Sequence, residues 1–296
     1  MGEGKLLIIG SRAFKKSTVQ MLVEEGKKLF EEVLFVPINE LRIVSGLGYK
    51  RLLYKNRNLL SEFDACYPRL SSKDFFFALP VLRLLEESSL FVPVSLKGYS
   101  LATHKFFTTK VLSDAGLPIV KSALFISSEA SRDFVKEFGF PLVVKIVGGF
   151  AGKGVVLVEN EKQLESILDT VHLLEESIIA QKFIAGRNSD VRCYVIGEKV
   201  IAVRRTGRLG EWRANISRGG NAEQIDVPKG LAKIALKAAE IMQLQICSVD
   251  FIETKYGAAI IEVNFMPGPF KKFLGNKIAK EMVEWLYKRC VEKKNN

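Results

Sequence analysis

Two short apolar runs bracket a helical pattern at the start of the chain, and this arrangement restricts the fold more than any other feature. Lys5–Gly10 (KLLIIG) is an unbroken apolar run ending at glycine. Over Ser17–Phe30, Val19, Leu22, Val23 and Leu29 recur at helical spacing, and Val33–Pro37 (VLFVP) is apolar again. Strand, helix and strand in close succession read as a βαβ unit, so the chain should open with a small parallel-sheet lobe. No Gly-x-Gly-x-x-Gly follows the first run, which leaves a dinucleotide site there unsupported.

The rest of the chain alternates in the same manner. Phe63–Arg69 reads as a strand end, Phe75–Glu87 as a helix and Leu90–Pro93 as a short strand, with a boundary expected near Leu96–Ser100. Lys105–Ala115 is a helix stopped by Gly116, with Pro118 just beyond, and Ser128–Phe138 is another, stopped by Gly139 and Pro141. Leu142–Val147 is a strand carrying Lys145. It runs into a glycine-rich loop, Gly148–Gly154, and a further strand, Val155–Glu159. A helix around Glu161–Leu174 precedes strands at Ser177–Phe183, Asp190–Ile196 and Lys199–Arg205. Leu231–Leu244 is an amphipathic helix. Val249–Glu253 and Ala258–Asn264 form a hairpin turning at Tyr256-Gly257, and a last helix spans about Asn276–Cys290.

At 296 residues the chain is long enough for two or three lobes. Its 48% hydrophobic content excludes disorder, and no apolar run approaches the ~18 residues of a spanning helix. Basic residues follow the first run at once (Arg12, Lys15, Lys16), so it is no signal peptide, and a cytoplasmic address is expected. Cys66, Cys193, Cys247 and Cys290 lie far apart, which suits buried free thiols. With only His104 and His172, a metal would have to be held by carboxylates and amides, which favours magnesium or a similar hard ion. The net charge of +11 suits an anionic partner or a lysine-rich surface. The basic residues are spread along the chain without a nucleic-acid-binding signature, which argues against nucleic acid.

Three clusters carry chemistry. Glu262 and Asn264 are two apart on one strand and share a face, and Asp250 on the preceding strand can pair alongside them. Two carboxylates and an amide oxygen suit Mg²⁺ shared with phosphates, although three solvent-facing polar positions would read the same. Lys145, just before the glycine-rich loop in VVKIVGGFAGKGVVLV, can meet phosphates that the loop backbone approaches closely. Finally Arg192, Arg204, Arg205, Arg213 and Arg218 are interleaved with Asp190, Glu211 and Asn215. Fixed guanidiniums of this kind can hold carboxylates or phosphates bidentately, or form a solvated charged face.

Taken in order, KIVGGFAGKGVVLV, IAQKFIAGRNSDVRCYVIGEKVIAVRR, GEWRANISRGG and VDFI…IIEVNFMPG resemble the ATP-grasp fold, and within it the RimK-like amino-acid ligases. YPRLSSKDFFFALPVLRLLE is similar to the end of that family's N-terminal lobe. The resemblance implies an α/β and α+β protein. Residues 1–98 would form a pre-ATP-grasp lobe, 99–185 a central subdomain with a glycine-rich flap, and 186–296 a C-terminal subdomain with the metal site. It implies ATP with Lys105 and Lys145 on the phosphates and the hinge Lys182 and Phe183 meeting adenine, largely through backbone. Asp190 would lie at the ribose, and Arg213, Ala214 and Asn215 near the phosphates. Asp250, Glu262 and Asn264 would hold Mg²⁺ (or Mn²⁺).

The sequence departs from the family pattern at His104, where an acidic residue is usual, at Lys182, commonly glutamate, and in Phe265–Phe270 after the EVN motif. The implied activity is ATP-dependent joining of a carboxylate to an amine through an acylphosphate, with glutamate added to an acceptor that ends in acid. Arg205 or Arg213 would stabilise the oxyanion, and Arg69 and Lys73 would contact the acceptor. A carrier-protein-dependent ligase of lysine or arginine synthesis and a non-catalytic nucleotide-binding protein are the alternatives, with a homo-oligomer open by analogy.

Overall fold

The computed structural model describes residues 2–11, 16–147, 154–174, 176–184, 188–208, 220–268 and 274–295. The expectations placed on residues 148–153 of the glycine-rich loop, and on Glu211, Arg213, Ala214, Asn215 and Arg218, fall outside these described residues.

The chain opens with β1 (Lys5–Gly10), α1 (Lys16–Gly26) and β2 (Glu32–Pro37), and β1 pairs in parallel with β2 as the βαβ reading requires. A hairpin follows, β3 (Arg42–Gly46) and β4 (Tyr49–Tyr54), extended by β5 (Arg57–Asn58) and the short α2 (Leu59–Glu62). The chain then enters β6 (Ala65–Arg69), which pairs in parallel with the other side of β1. In the middle of this sheet Leu6, Leu7, Ile8 and Ile9 are fully buried, which explains why the first run is continuously apolar instead of alternating. Next come α3 (Phe75–Glu86), α4 (Leu96–Thr103) and α5 (Lys105–Asp114).

One expectation changes here. Leu90–Pro93 is not a strand but a single bridge, Phe91 to Ala65, because only Phe91 exchanges backbone hydrogen bonds with the edge of β6. Leu96–Ser100, the segment near the expected boundary, forms the first part of α4. Ser95 caps α4 by accepting from the Gly98 N–H, and Tyr99 is buried.

A four-stranded antiparallel sheet comes next, in the order β7 (Ser122–Phe125), β10 (Ile178–Lys182), β8 (Leu142–Ile146), β9 (Val155–Val158). Helices α6 (Ser128–Phe138) and α7 (Glu161–Leu173) cover it, and the group has its own small core around Phe125, Val144, Val158, Leu164 and Ile178. A five-stranded antiparallel sheet completes the fold, in the order β13 (Asn221–Ile225), β12 (Lys199–Thr206), β11 (Ser189–Ile196), β14 (Ile246–Thr254), β15 (Gly257–Asn264). Its β14–β15 turn is Lys255-Tyr256, one residue earlier than the sequence suggested.

Helix α8 (Leu231–Ile241) packs on the five-stranded sheet. The C-terminal helix α9 (Lys277–Asn295) lies against both α1 and β11. A single large core therefore joins the parallel sheet and the five-stranded sheet through Ile278, Met282, Val283 and Leu286, while the four-stranded sheet keeps a separate one. The two sides are stitched by Pro118–Val120, which runs beside β15: Ile260 donates to Pro118 O and Val120 donates back to Ile260 O. No helix among the described residues is long and apolar enough to cross a membrane. All four cysteines are free and buried.

Candidate active site

One face of the five-stranded sheet carries the charge. The register sets Asp190 opposite Arg205, Arg192 opposite Asp250, Asp250 opposite Glu262, and Ser248 opposite Asn264. Opposed residues in an antiparallel pair point to the same side, so these side chains form a row across β12, β11, β14 and β15. A β-bulge between Asp250 and Phe251 keeps Glu262 and Asn264 on that side while the rest of the hairpin continues in its own register.

Within the row the guanidiniums and carboxylates are interlocked. Arg192 donates from Nε and Nη2 to both oxygens of Asp250 at 2.6 Å, and Arg205 does the same to Asp190 at 2.6 Å. Arg205 Nη2 also reaches Asp250 Oδ2 at 2.9 Å. The chain Asp190–Arg205–Asp250–Arg192 is thus buried and neutral overall. Burial by itself would raise the Asp250 carboxyl, but the two guanidiniums overcome it and hold the group below its ordinary value. Among the described residues Asp190 has Arg205 as its one side-chain partner, and burial there pushes its carboxyl upward. Both Asp190 oxygens, expected at a ribose, are already held by Arg205, which leaves only their remaining lone pairs for any other donor.

Glu262 and Asn264 stand at the edge of this row, facing the four-stranded sheet. Asn264 donates its amide weakly to Asp250 Oδ2 at 3.4 Å, and Glu262 makes no hydrogen bond to a described residue. Across a narrow cleft, Lys145 on β8 and Lys105 at the start of α5 face Glu262. Ile119, Ile179 and Gln181 are among the other residues that line it. Lys145 has no hydrogen-bond or ion-pair partner among the described residues, and burial lowers its ammonium below the usual lysine value. Glu262 and Asp250 pull it upward, while Lys105 adds to the fall. Two ammonium groups gathered opposite a carboxylate make a site whose charges suit an anion with a cation beside it.

The hinge residues sit at the end of β10. Lys182 turns its ammonium onto the Phe138 carbonyl at the C-terminus of α6, where a cation is favoured by the helix dipole. The N–H groups of Lys182 and Phe183 donate to the Lys121 and Pro141 carbonyls.

Arg69, an expected acceptor contact, is instead buried, with Nη1 donating to Tyr67 Oη at 3.2 Å and to the Pro267 carbonyl at 3.3 Å. Tyr194 donates to the next carbonyl, Gly268 O, at 2.7 Å. Together they clamp the segment that leaves Asn264. Lys73 lies in the single helical turn before α3, away from these contacts. Arg192 is the residue that sequence reasoning placed in the basic series without a role at the site. Its only signal was the two-residue spacing from Asp190 on one strand.

Asp250, Glu262 and Asn264 fit Mg²⁺ by donor chemistry. They offer two carboxylates and an amide on one face, and Asp250 Oδ1 accepts one hydrogen bond and keeps a lone pair. No group of three or more His, Cys, Asp or Glu close enough to hold a metal occurs among the described residues, so the remaining ligands would come from phosphate and water.

A family model described as the RimK-like ATP-grasp domain matches residues 102–286. A probable alpha-L-glutamate ligase of Alkalilimnicola ehrlichii (strain ATCC BAA-1101 / DSM 17681 / MLHE-1) is 32% identical over 291 residues, covering 96% of each chain. Among solved structures, the ATP-grasp ligase PsnB, complexed with a phosphomimetic variant of its minimal precursor, Mg and ADP, gives a TM-score of 0.74. It is 21% identical over 96% of this chain and 98% of that one. D-alanine--D-alanine ligase from Bacillus anthracis, complexed with ATP, gives 0.71 at 18% identity over 99% of both chains. The sheet order, the cleft and these likenesses agree, and the chain belongs to the RimK-like ATP-grasp family.

Proposed function

We propose that this ATP-dependent ligase uses Mg·ATP to join an amino acid, glutamate, to an acceptor that ends in a carboxylate. The observation that carries the reading is the opposition of Lys105 and Lys145 to Glu262 across the cleft, with Asp250 and Asn264 beside it. That set matches a polyphosphate and its metal better than any neutral ligand. The 32% identity to a probable alpha-L-glutamate ligase supports the choice of amino acid, and the basic chain suits an acidic acceptor.

The acceptor carboxylate attacks the γ-phosphorus, the bond to the β-bridging oxygen breaks, and ADP leaves. The amine then attacks the acylphosphate carbon and expels inorganic phosphate, losing a proton. Lys145 and Lys105 neutralise the oxygens of the transferring group. Asp250, Glu262 and Asn264 would hold the metal, which when bound would help neutralise the charge on the phosphates. Arg205 lies within the charged row with Nη1 uncommitted among the described residues, which supports its assignment, with Arg213 as the other candidate, to the oxyanion of the second step. Arg213, Ala214 and Asn215 complete the proposal as phosphate-side residues.

The test is phosphate release from Mg·ATP and glutamate against a panel of acceptors: glutamyl-tailed cofactors, a glutamate-ended peptide and an acidic carrier protein. Release tied to one acceptor, with a mass gain of one glutamyl unit, is expected. Lys145→Met should lower the rate by about 10²–10³-fold. Release without any gain in acceptor mass would refute the transfer.

A further inference from the structure

Residues 41–61 contain five basic side chains, Arg42, Lys50, Arg51, Lys55 and Arg57, and no acidic one, so this short stretch supplies five of the net +11 charges. Two are matched by neighbours: Lys50 lies 2.5 Å from Glu87, and Arg57 contacts Glu32 and Glu62 at 2.6 Å. Arg42, Arg51 and Lys55 are exposed and have no carboxylate partner among the described residues.

The hairpin register decides where these cations point. Arg42 pairs with Leu53, Val44 with Arg51, and Gly46 with Tyr49. Arg42, Arg51 and Tyr49 therefore project from one side of the hairpin, around half-buried Val44 and Leu53. Leu52, on the other side, is fully buried against the core. The Arg51 guanidinium lies 4.4 Å above the Tyr49 ring, which fixes its direction in advance of any partner. Lys55 occupies the turn that follows β4.

A second observation is independent of charge. β3 is the terminal strand of its sheet, and no described residue pairs with its outer edge. Gly46 and Tyr49 close a two-residue turn, so Ile43 and Ser45 aim their backbone N–H and C=O groups outward. A row of alternating donors and acceptors at the strand repeat is matched by another polypeptide backbone and not by a sugar-phosphate one. Pairing with a second copy of the same strand would bring arginines together, so the strand that fits is anionic.

We propose that the β3–β4 hairpin is a docking site for an acidic polypeptide segment, which adds a strand to the open edge of β3 and sets its carboxylates against Arg42 and Arg51. The surface lies on the parallel-sheet lobe, apart from the cleft, and its existence does not depend on which acceptor the ligase uses.

The experiment is fluorescence anisotropy of a labelled glutamate-rich peptide, its glutamine counterpart and a uridylate oligonucleotide of equal charge. These are titrated with the full chain and with two variants. Arg42→Gln/Arg51→Gln removes charge from exposed positions, and Ser45→Pro removes an outward N–H while leaving charge intact. The wild-type chain should bind the glutamate peptide and not the glutamine one, and each variant should weaken that binding about tenfold. Thermal midpoints and ATP turnover with a small acceptor should stay unchanged in both. Equal binding by the charge variant, no binding of the glutamate peptide at all, or tighter binding of the oligonucleotide that survives Ser45→Pro would each overturn the proposal. Loss of turnover in the wild-type assay would count against the ligase reading alone.

Discussion

Arg192 and Asp250 face each other across β11 and β14 and are joined by two contacts of 2.6 Å, both side chains almost fully buried. Removing Arg192 leaves the buried Asp250 carboxylate with only the 2.9 Å contact from Arg205 to compensate its charge, and breaking a buried ion pair typically costs about 3–5 kcal/mol. Arg192→Met should lower stability by about that amount in urea unfolding. Arg192→Met combined with Asp250→Leu should recover most of it while abolishing activity. A single variant as stable as the wild type would show that the pair is not closed in solution.

The same pair sets an acid limit. Asp250 is held below its ordinary value of 3.8 by the two guanidiniums, so its contribution to stability is fully present above that value. It is lost as pH falls through the lower folded-state value. Acid unfolding of Arg192→Met should therefore begin at higher pH than that of the wild type, as followed by circular dichroism.

Lys145 predicts an alkaline limit for the ligand. Burial lowers its ammonium below 10.5 in the free protein, and a bound polyphosphate favours the charged form. Nucleotide binding should then take up a proton once pH passes the lowered value, and affinity should fall as pH rises further. Calorimetry in buffers of different ionisation enthalpy reads this uptake, which Lys145→Met should eliminate.

Arg69 and Tyr194 grip consecutive carbonyls, Pro267 and Gly268, from two different sheets. Tyr194→Phe removes a neutral hydrogen bond and should cost about 0.5–1.5 kcal/mol. Arg69→Met removes a charge-assisted one and should cost about 1.5–3 kcal/mol. Denaturant midpoints of the two variants would check both the values and their order.

Gly98 tests how closely the lobes meet. A Cβ there would lie 2.6 Å from Met242 O and 2.8 Å from Gln243 O, both backbone atoms at the end of α8. Gly98→Ala should destabilise by about 1–3 kcal/mol through forced separation of α4 and α8, as in other overpacked contacts. A thermal midpoint equal to that of the wild type would mean that the helices part without cost.

Much of this architecture was legible in the chain because it depends on local periodicity. The runs Lys5–Gly10 and Val33–Pro37 with the helical pattern between them define a βαβ unit wherever they occur. The spacing of Glu262 and Asn264 places both on one face of any strand. The hairpin over Arg42–Tyr54 escaped notice because its apolar residues come in adjacent pairs such as Ile43-Val44 and Leu52-Leu53 and only Leu52 is fully buried, so it lacks the alternation that marks a half-buried strand. The partnership of Arg192 with Asp250 and of Arg69 with Pro267 could not be read from spacing, since the partners are 58 and 198 residues apart. Sequence by itself determined which side chains share a face, because the strand repeat does that within a few residues. Only the tertiary structure decided which faces meet. That choice depends on how the sheets pack against one another and their helices, and it placed Lys145 across a cleft from Glu262 while burying Arg69 away from solvent.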